Sequence, residues 1–173
     1  KGEAADALPL DQLRTADALA HVVRGFRDEA IPHVEGPPDP ARDVSTMETE
    51  LILADHTIAT RRIEKLELAV RQAHRDEDRR ELELLKRCLA ALEREVPLRT
   101  LEFGEEDERR LRGFTFLSLK PVLVVVNADE EDAKLLAGGA EAFGLGGLAG
   151  RPGTAVVTLS ARIEGEIAQL DPS

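Results

Sequence analysis

The chain has 173 residues, a length sufficient to bury a hydrophobic core. Hydrophobic residues make up 42% and charged residues 33%, which is not the composition of a disordered protein. Its formal net charge of −11 and its aromatic content of 3% argue against a general binder of nucleic acid or anionic membrane, so we expect neither direct DNA binding nor a membrane role. The single cysteine, Cys88, excludes an internal disulfide and fits a reducing compartment, and no apolar run reaches the about 18 residues of a transmembrane helix.

The first segment predicts a short helix, a strand and a loop. A polar stretch through Leu8, Leu10 and Leu13 has helical spacing, and the apolar run 18–23 is typical of a buried strand. The segment 31–40 contains three prolines in four positions, which excludes a helix there.

The central segment predicts an antiparallel helical hairpin. Asp43 or Ser45 can cap a helix that runs to about Gln72, and the polar run 74–80 is interpreted as a turn. A second helix should follow, with apolar residues at steps of 3, 4, 3 and 4, the spacing of a coiled-coil seam: Leu82, Leu85, Leu89, Leu92 and Val96. The stretch 61–112 holds 14 acidic and 14 basic residues, so this stretch is neutral and the whole net negative charge lies in the rest of the chain.

The last segment predicts two more strands and two helices. The β-branched run 121–126 is typical of a strand buried on both faces of a parallel sheet, and 154–159 reads as a second one. We expect a helix from about Glu130 to Leu136, a flexible glycine-rich stretch over 138–153, and a final helix over 163–170. Strands alternating with helices indicate an α/β fold with a parallel sheet.

Two short motifs follow the carboxyl ends of these strands, where open α/β sheets bind ligands. They are Asn127-x-x-Glu130 and Ser160-Ala161-Arg162. A carboxylate in this position can accept hydrogen bonds from a purine edge, and a Ser-Ala turn can offer a backbone N–H. The alternative is a plain helix N-terminus with acids in its first turn.

Both motifs resemble the base-recognition elements of P-loop GTPases, whose usual forms are Asn-Lys-x-Asp and Ser-Ala-Lys. The closer resemblance is to the YchF, or Obg-like ATPase, family, which carries Asn-x-x-Glu and a helical hairpin inserted between sheet strands. The similar segments cover nearly the whole chain and include 17–24 (DALAHVVR), 48–55 (ETELILAD), 120–122 (KPV), 127–131 (NADEE) and 160–166 (SARIEGE).

The resemblance implies a purine-base site built from Asn127, Ala128, Glu130, Ser160, Ala161 and Arg162. Glu130 would read the base edge beside Asn127, and in the family this Glu goes with acceptance of adenine. Ala128 stands where the usual Lys would cover the ring. Ser160 and Ala161 would shape the pocket through their backbone, with Arg162 covering it.

The resemblance also implies Mg²⁺ with ATP or GTP, binding to ribosomes and a cytoplasmic location. However, the sequence contains neither Gly-x-x-x-x-Gly-Lys-Ser/Thr nor the Asp-x-x-Gly that positions Mg²⁺ and the γ-phosphate. It also lacks the family's C-terminal ubiquitin-like TGS domain. The chain therefore resembles the central part of such a protein, with the phosphate and metal ligands outside it, and we expect no hydrolysis from these residues alone.

We therefore expect the α/β fold of a partial, Ras-like P-loop NTPase sheet with an inserted antiparallel coiled-coil hairpin. Residues 1–40 and 117–173 would form an incomplete nucleotide-binding domain, and residues 41–116 the insert. The function this implies is binding and hydrolysis of ATP or GTP by a ribosome-associated protein. The alternative is a nucleotide-independent helical adaptor, or a degenerate member that does not hydrolyse nucleotide.

Overall fold

A computed structural model describes residues 9–28, 30–31, 36–73, 75–129 and 133–170. Three parallel strands form one sheet in the order β1 (Leu19–Arg24), β2 (Val122–Asn127) and β3 (Thr154–Leu159). The register pairs Arg24 with Asn127 and Asn127 with Leu159, so the carboxyl ends of all three strands coincide. The predicted strands, their parallel order and the α/β fold are confirmed.

One face of the sheet is covered. Helix α5 (Ala133–Ala142) connects β2 to β3, and α6 (Ala161–Ile167) follows β3. On this face the described core consists of Val23, Val44, Val124, Val126, Ala128, Phe143 and Leu145. Helix α5 continues beyond the predicted end at Leu136 into the glycine-rich stretch, where Gly139, at φ 58° and ψ −145°, interrupts it with a kink that favours glycine.

The opposite face of the sheet is apolar and open among the described residues. Val22, Leu123 and Val157 expose 65%, 37% and 42% of their surface. The expectation of a strand buried on both faces is therefore met on one face only. A β-branched run shows that both faces are apolar, but it does not show which elements cover them.

The remaining helices are α1 (Leu10–Thr15), α2 (Pro40–Ala73), α3 (Asp76–Leu92) and α4 (Glu105–Leu111), of which α2 and α3 start earlier than predicted. Helix α2 begins at Pro40 because the Asp39 carboxylate accepts a hydrogen bond from the Arg42 N–H at 3.1 Å, and proline suits the first helical position. The cap is thus Asp39, and the predicted caps Asp43 and Ser45 lie inside the helix.

The predicted turn over 74–80 is also too long. Helix α3 already begins at Asp76, since its first turn carries three acids, which are favourable at a helix N-terminus. It ends at Leu92 rather than near Val96, because Glu95 adopts a left-handed conformation at φ 57°. No described helix is long and apolar enough to cross a bilayer.

The described residues form two compact units. One contains 18–46 and 121–170, and the other 9–17 and 47–120. The domain limits given above, 1–40 with 117–173 and 41–116, remain a prediction.

The helical unit has its own core, formed mainly between α2 and α3 and completed by Leu98, Leu111 and Phe116. Two helices that share a core and are joined by two residues run antiparallel. Ion pairs join their flanks, Arg62 to Glu81 at 2.7 Å and Lys86 to Glu67 at 2.7 Å. Cys88 is fully buried in this core, and burial raises the pKa of its thiol to about 11.

Asp55 is the most deeply buried acid of the helical unit among the described residues, with no exposed surface. One carboxylate oxygen accepts a hydrogen bond from the Leu117 N–H at 2.9 Å, and the other accepts from the Ser118 N–H at 2.6 Å. Arg14 lies 3.4 Å away. Burial raises the pKa of Asp55, against the lowering effect of these hydrogen bonds and of Arg14.

Candidate functional site

A cleft of about 560 Å³ opens at the carboxyl edge of the sheet. Its described lining combines both sequence motifs with the segment that follows β1: Phe26, Arg27, Asp28, Ile31, Asn127, Ala128, Asp129, Ser160 and Arg162. The motifs meet because β2 and β3 are neighbours in register and end together. This is the position at which open α/β sheets bind ligands.

Asn127, the last residue of β2, joins the two motifs. Its Oδ1 accepts a hydrogen bond from the Ala161 backbone N–H at 2.9 Å. Because a backbone N–H is a donor, the amide must present Oδ1 to it, which leaves the two N–H bonds of Nδ2 as donors for another group. The ring nitrogens and carbonyl oxygens of a purine are acceptors of this kind.

The Ser160-Ala161 turn is fixed by hydrogen bonds of its own residues. Ser160 is buried, and its Oγ caps α6 by accepting from the Ile163 N–H at 3.5 Å. The Ala161 N–H already serves Asn127, so in this arrangement it fixes the loop instead of pointing a free donor at a ligand. Arg162 is exposed at the cleft, 3.6 Å from Glu166.

Ala128 contributes packing. It is 3% exposed, belongs to the sheet core, and donates its backbone N–H to the Leu159 carbonyl at 2.8 Å. Glu130, the residue expected to read the base edge, lies outside the described residues. The roles assigned above to the six base-site residues therefore remain predictions.

The cleft has a third wall that the sequence motifs do not indicate, the segment 26–31 that follows β1. It brings an aromatic ring, Phe26, and two charged side chains, Arg27 and Asp28, to the cleft. The preceding Gly25 allows this approach, because a Cβ there would lie 2.8 Å from a Val126 methyl carbon and 2.9 Å from the Phe143 ring. The available signal was position, since this segment also follows the carboxyl end of a parallel strand.

The residues that the structure describes do not fit a magnesium-phosphate centre. Among them, no three His, Cys, Asp or Glu side chains gather where they could hold a metal ion. The glycine-rich phosphate loop is also missing from the sequence. We therefore derive no phosphoryl-transfer step from this chain.

The curated proteins that the chain resembles in sequence carry one name, ribosome-binding ATPase YchF. The chain is 35% identical over 171 residues to the ribosome-binding ATPase YchF of Bacillus subtilis and 34% identical over 174 residues to that of Escherichia coli O157:H7. Each alignment covers 99% of this chain and 46% of the relative, so the chain spans about half the length of these proteins. No family model matches the sequence.

A solved structure of the Schizosaccharomyces pombe YchF GTPase is similar in fold. It matches with a TM-score of 0.76 over 98% of this chain and 48% of that protein, at 23% sequence identity. The similarity in sequence and in fold extends over almost the whole chain, so over the region that it spans the chain resembles the YchF, or Obg-like, family.

Proposed function

We propose that this chain supplies the purine-base site of a YchF-like nucleotide-binding protein. The observation that carries the proposal is the cleft at the carboxyl edge of the sheet, where Asn127 links both motifs and keeps its Nδ2 donors available. Phe26 adds an aromatic surface on which a base can stack, a contact worth about 1–3 kcal/mol in other proteins.

Adenine should be accepted at least as well as guanine. Ala128 is buried and carries no side chain that can cover a guanine ring, and Glu130 replaces the Asp of the usual GTPase motif. Asn127, Ser160, Ala161 and Arg162 complete the proposed site. Hydrolysis of ATP or GTP belongs to the longer protein, whose phosphate and Mg²⁺ ligands would lie outside this chain.

Nucleoside titration tests the base site without its phosphate partners. We expect adenosine to bind this chain with a Kd of about 1 mM, a free energy of about −4 kcal/mol, as a small contact surface allows. ATP should bind within a few-fold of adenosine, since no phosphate loop is present, and guanosine should bind no better than adenosine. The measurement is a titration followed by NMR shifts of Asn127 and Ala161. Equal shifts with cytidine, or none with adenosine, would contradict the proposal.

We also propose that the longer protein associates with ribosomes in the cytoplasm. The bacterial relatives carry ribosome binding in their names. We assign this contact to the helical hairpin, since most of it lies in the stretch 61–112, which holds equal numbers of acidic and basic residues and carries none of the net negative charge. The longer protein should cosediment with ribosomes, and a variant without the hairpin residues 47–96 should not. Equal cosedimentation of both would assign the contact to another part of the protein.

A nucleotide-independent adaptor is the second candidate. It is favoured by the separate core of the helical unit, which can present a binding surface without any ligand in the sheet. The same titration separates the two candidates, because an adaptor of this kind would not bind adenosine.

A further inference from the structure

The described residues of the segment 26–31, which forms the third wall of the cleft, belong to no helix or strand. Among its described residues, the Ile31 N–H donates to the Asp28 carbonyl at 3.3 Å and the Ala30 N–H to the Asp28 side chain at 2.8 Å. Neither hydrogen bond ties the segment to the sheet. A wall of a binding site needs a fixed position, because a mobile wall must be ordered by the ligand at a cost in affinity.

Arg24, the last residue of β1, supplies this connection. Its guanidinium donates to three backbone carbonyls of the segment, from Nε to Phe26 at 3.0 Å, from Nη2 to Asp28 at 3.0 Å and from Nη1 to Ile31 at 2.6 Å. The carbonyl oxygens belong to the first, third and last residues of the stretch, so one side chain spans all of it.

The same guanidinium also backs the aromatic ring of the cleft. Its central carbon lies 4.7 Å from the centre of the Phe26 ring, within the range of a cation–π contact. Arg24 stands next to Asn127 in the sheet register. The residue that holds the segment is therefore anchored beside the residue that joins the two motifs.

We propose that Arg24 is the positioning residue of the cleft, which holds the segment 26–31 and the Phe26 ring in place to receive a purine base. This inference rests on the proposed function. Arginine is required by geometry, because three carbonyl oxygens in different directions need a planar group with several N–H donors. A lysine ammonium can keep the charge but not this fan of hydrogen bonds.

The test compares Arg24→Lys and Arg24→Gln with the parent chain. The control is Arg151→Lys, because the Arg151 Nε also donates to a loop carbonyl, that of Gly147 at 2.7 Å, in the same unit but outside the cleft lining. Arg24 is not part of the sheet core, so we expect the thermal unfolding of all four chains to be similar. Adenosine affinity should fall about tenfold in both Arg24 variants and stay unchanged in Arg151→Lys.

A second measurement does not depend on the ligand. Backbone ¹⁵N order parameters for residues 26–31 should fall in the Arg24 variants and not in the control. Two outcomes would overturn the inference while leaving the proposed function intact. In one, the order parameters of Arg24→Lys equal those of the parent chain. In the other, the order parameters of the Arg24 variants fall but their adenosine affinity stays at the parental value. Failure of the parent chain itself to bind adenosine would overturn the proposed function, and the base-positioning role with it.

Discussion

Replacement of Asp55 by alanine should lower the free energy of unfolding of the helical unit by about 3–5 kcal/mol, the range for removing one partner of a buried charged group. The variant leaves the Leu117 and Ser118 N–H groups without their acceptor in a site that excludes water, and it deprives Arg14 of its carboxylate. Asp55→Asn should lose much of this stability as well. The two N–H groups use different oxygens, and an amide offers only one.

Urea unfolding measures the effect, and alkylation of Cys88 reports it locally. The buried thiol, whose pKa is raised to about 11, should stay unreactive until the helical core opens. Glu64→Gln is the control, because Glu64 is exposed on the same helix, α2. If Asp55→Ala unfolds at the same urea concentration as this control, the carboxylate does not stabilise the fold in the way its contacts indicate.

The regular elements of this fold were largely readable from the sequence. The strands at 19–24, 122–127 and 154–159 followed from short apolar runs over 18–23, 121–126 and 154–159, and the parallel order followed from the helices between them. Helix ends were less predictable because they depend on single contacts. Asp39 was not recognised as the cap of α2, since it stands among prolines that rule out a helix just before it.

The buried polar contacts could not be read from periodicity. Asp55 lies on α2 among polar and apolar neighbours, and its partners Leu117 and Ser118 are more than 60 positions away along the chain. No spacing rule joins residues at such a separation. The arrangement arises when the segment after α4 packs on α2, and only three-dimensional packing determines which backbone N–H groups meet the carboxylate.

The candidate site was found in part. The motifs at 127 and 160 follow parallel strands, so their meeting at one edge was predictable in physical terms. The segment 26–31 carries no comparable motif, and its contribution depends on the Arg24 hydrogen bonds, which link residues two to seven positions apart through a side chain. The sequence shows that a polar residue, Arg24, follows the apolar run of β1. It does not show in which direction the Arg24 side chain is oriented.

Asn127→Asp should weaken adenosine binding about tenfold, a change of about 1.4 kcal/mol. Aspartate keeps an oxygen for the Ala161 N–H, so the link between the two motifs should persist. It removes both Nδ2 donors and sets a negative charge before the acceptor atoms of the purine. Asn127→Ala should lose at least as much affinity, because it removes the link and the donors together.

The two substitutions separate a binding role of Asn127 from a purely structural one. If the side chain only secures the Ser160-Ala161 turn, Asn127→Asp should bind adenosine like the parent chain and Asn127→Ala should not. Gln12→Glu, an amide-to-acid change at an exposed position of α1, is the matched control and should leave binding unchanged. Titrations of all four chains under one buffer give the comparison. If Asn127→Asp binds adenosine with the affinity of the parent chain, the Nδ2 donors do not contribute to the site. The expected tenfold loss would assign purine recognition to them.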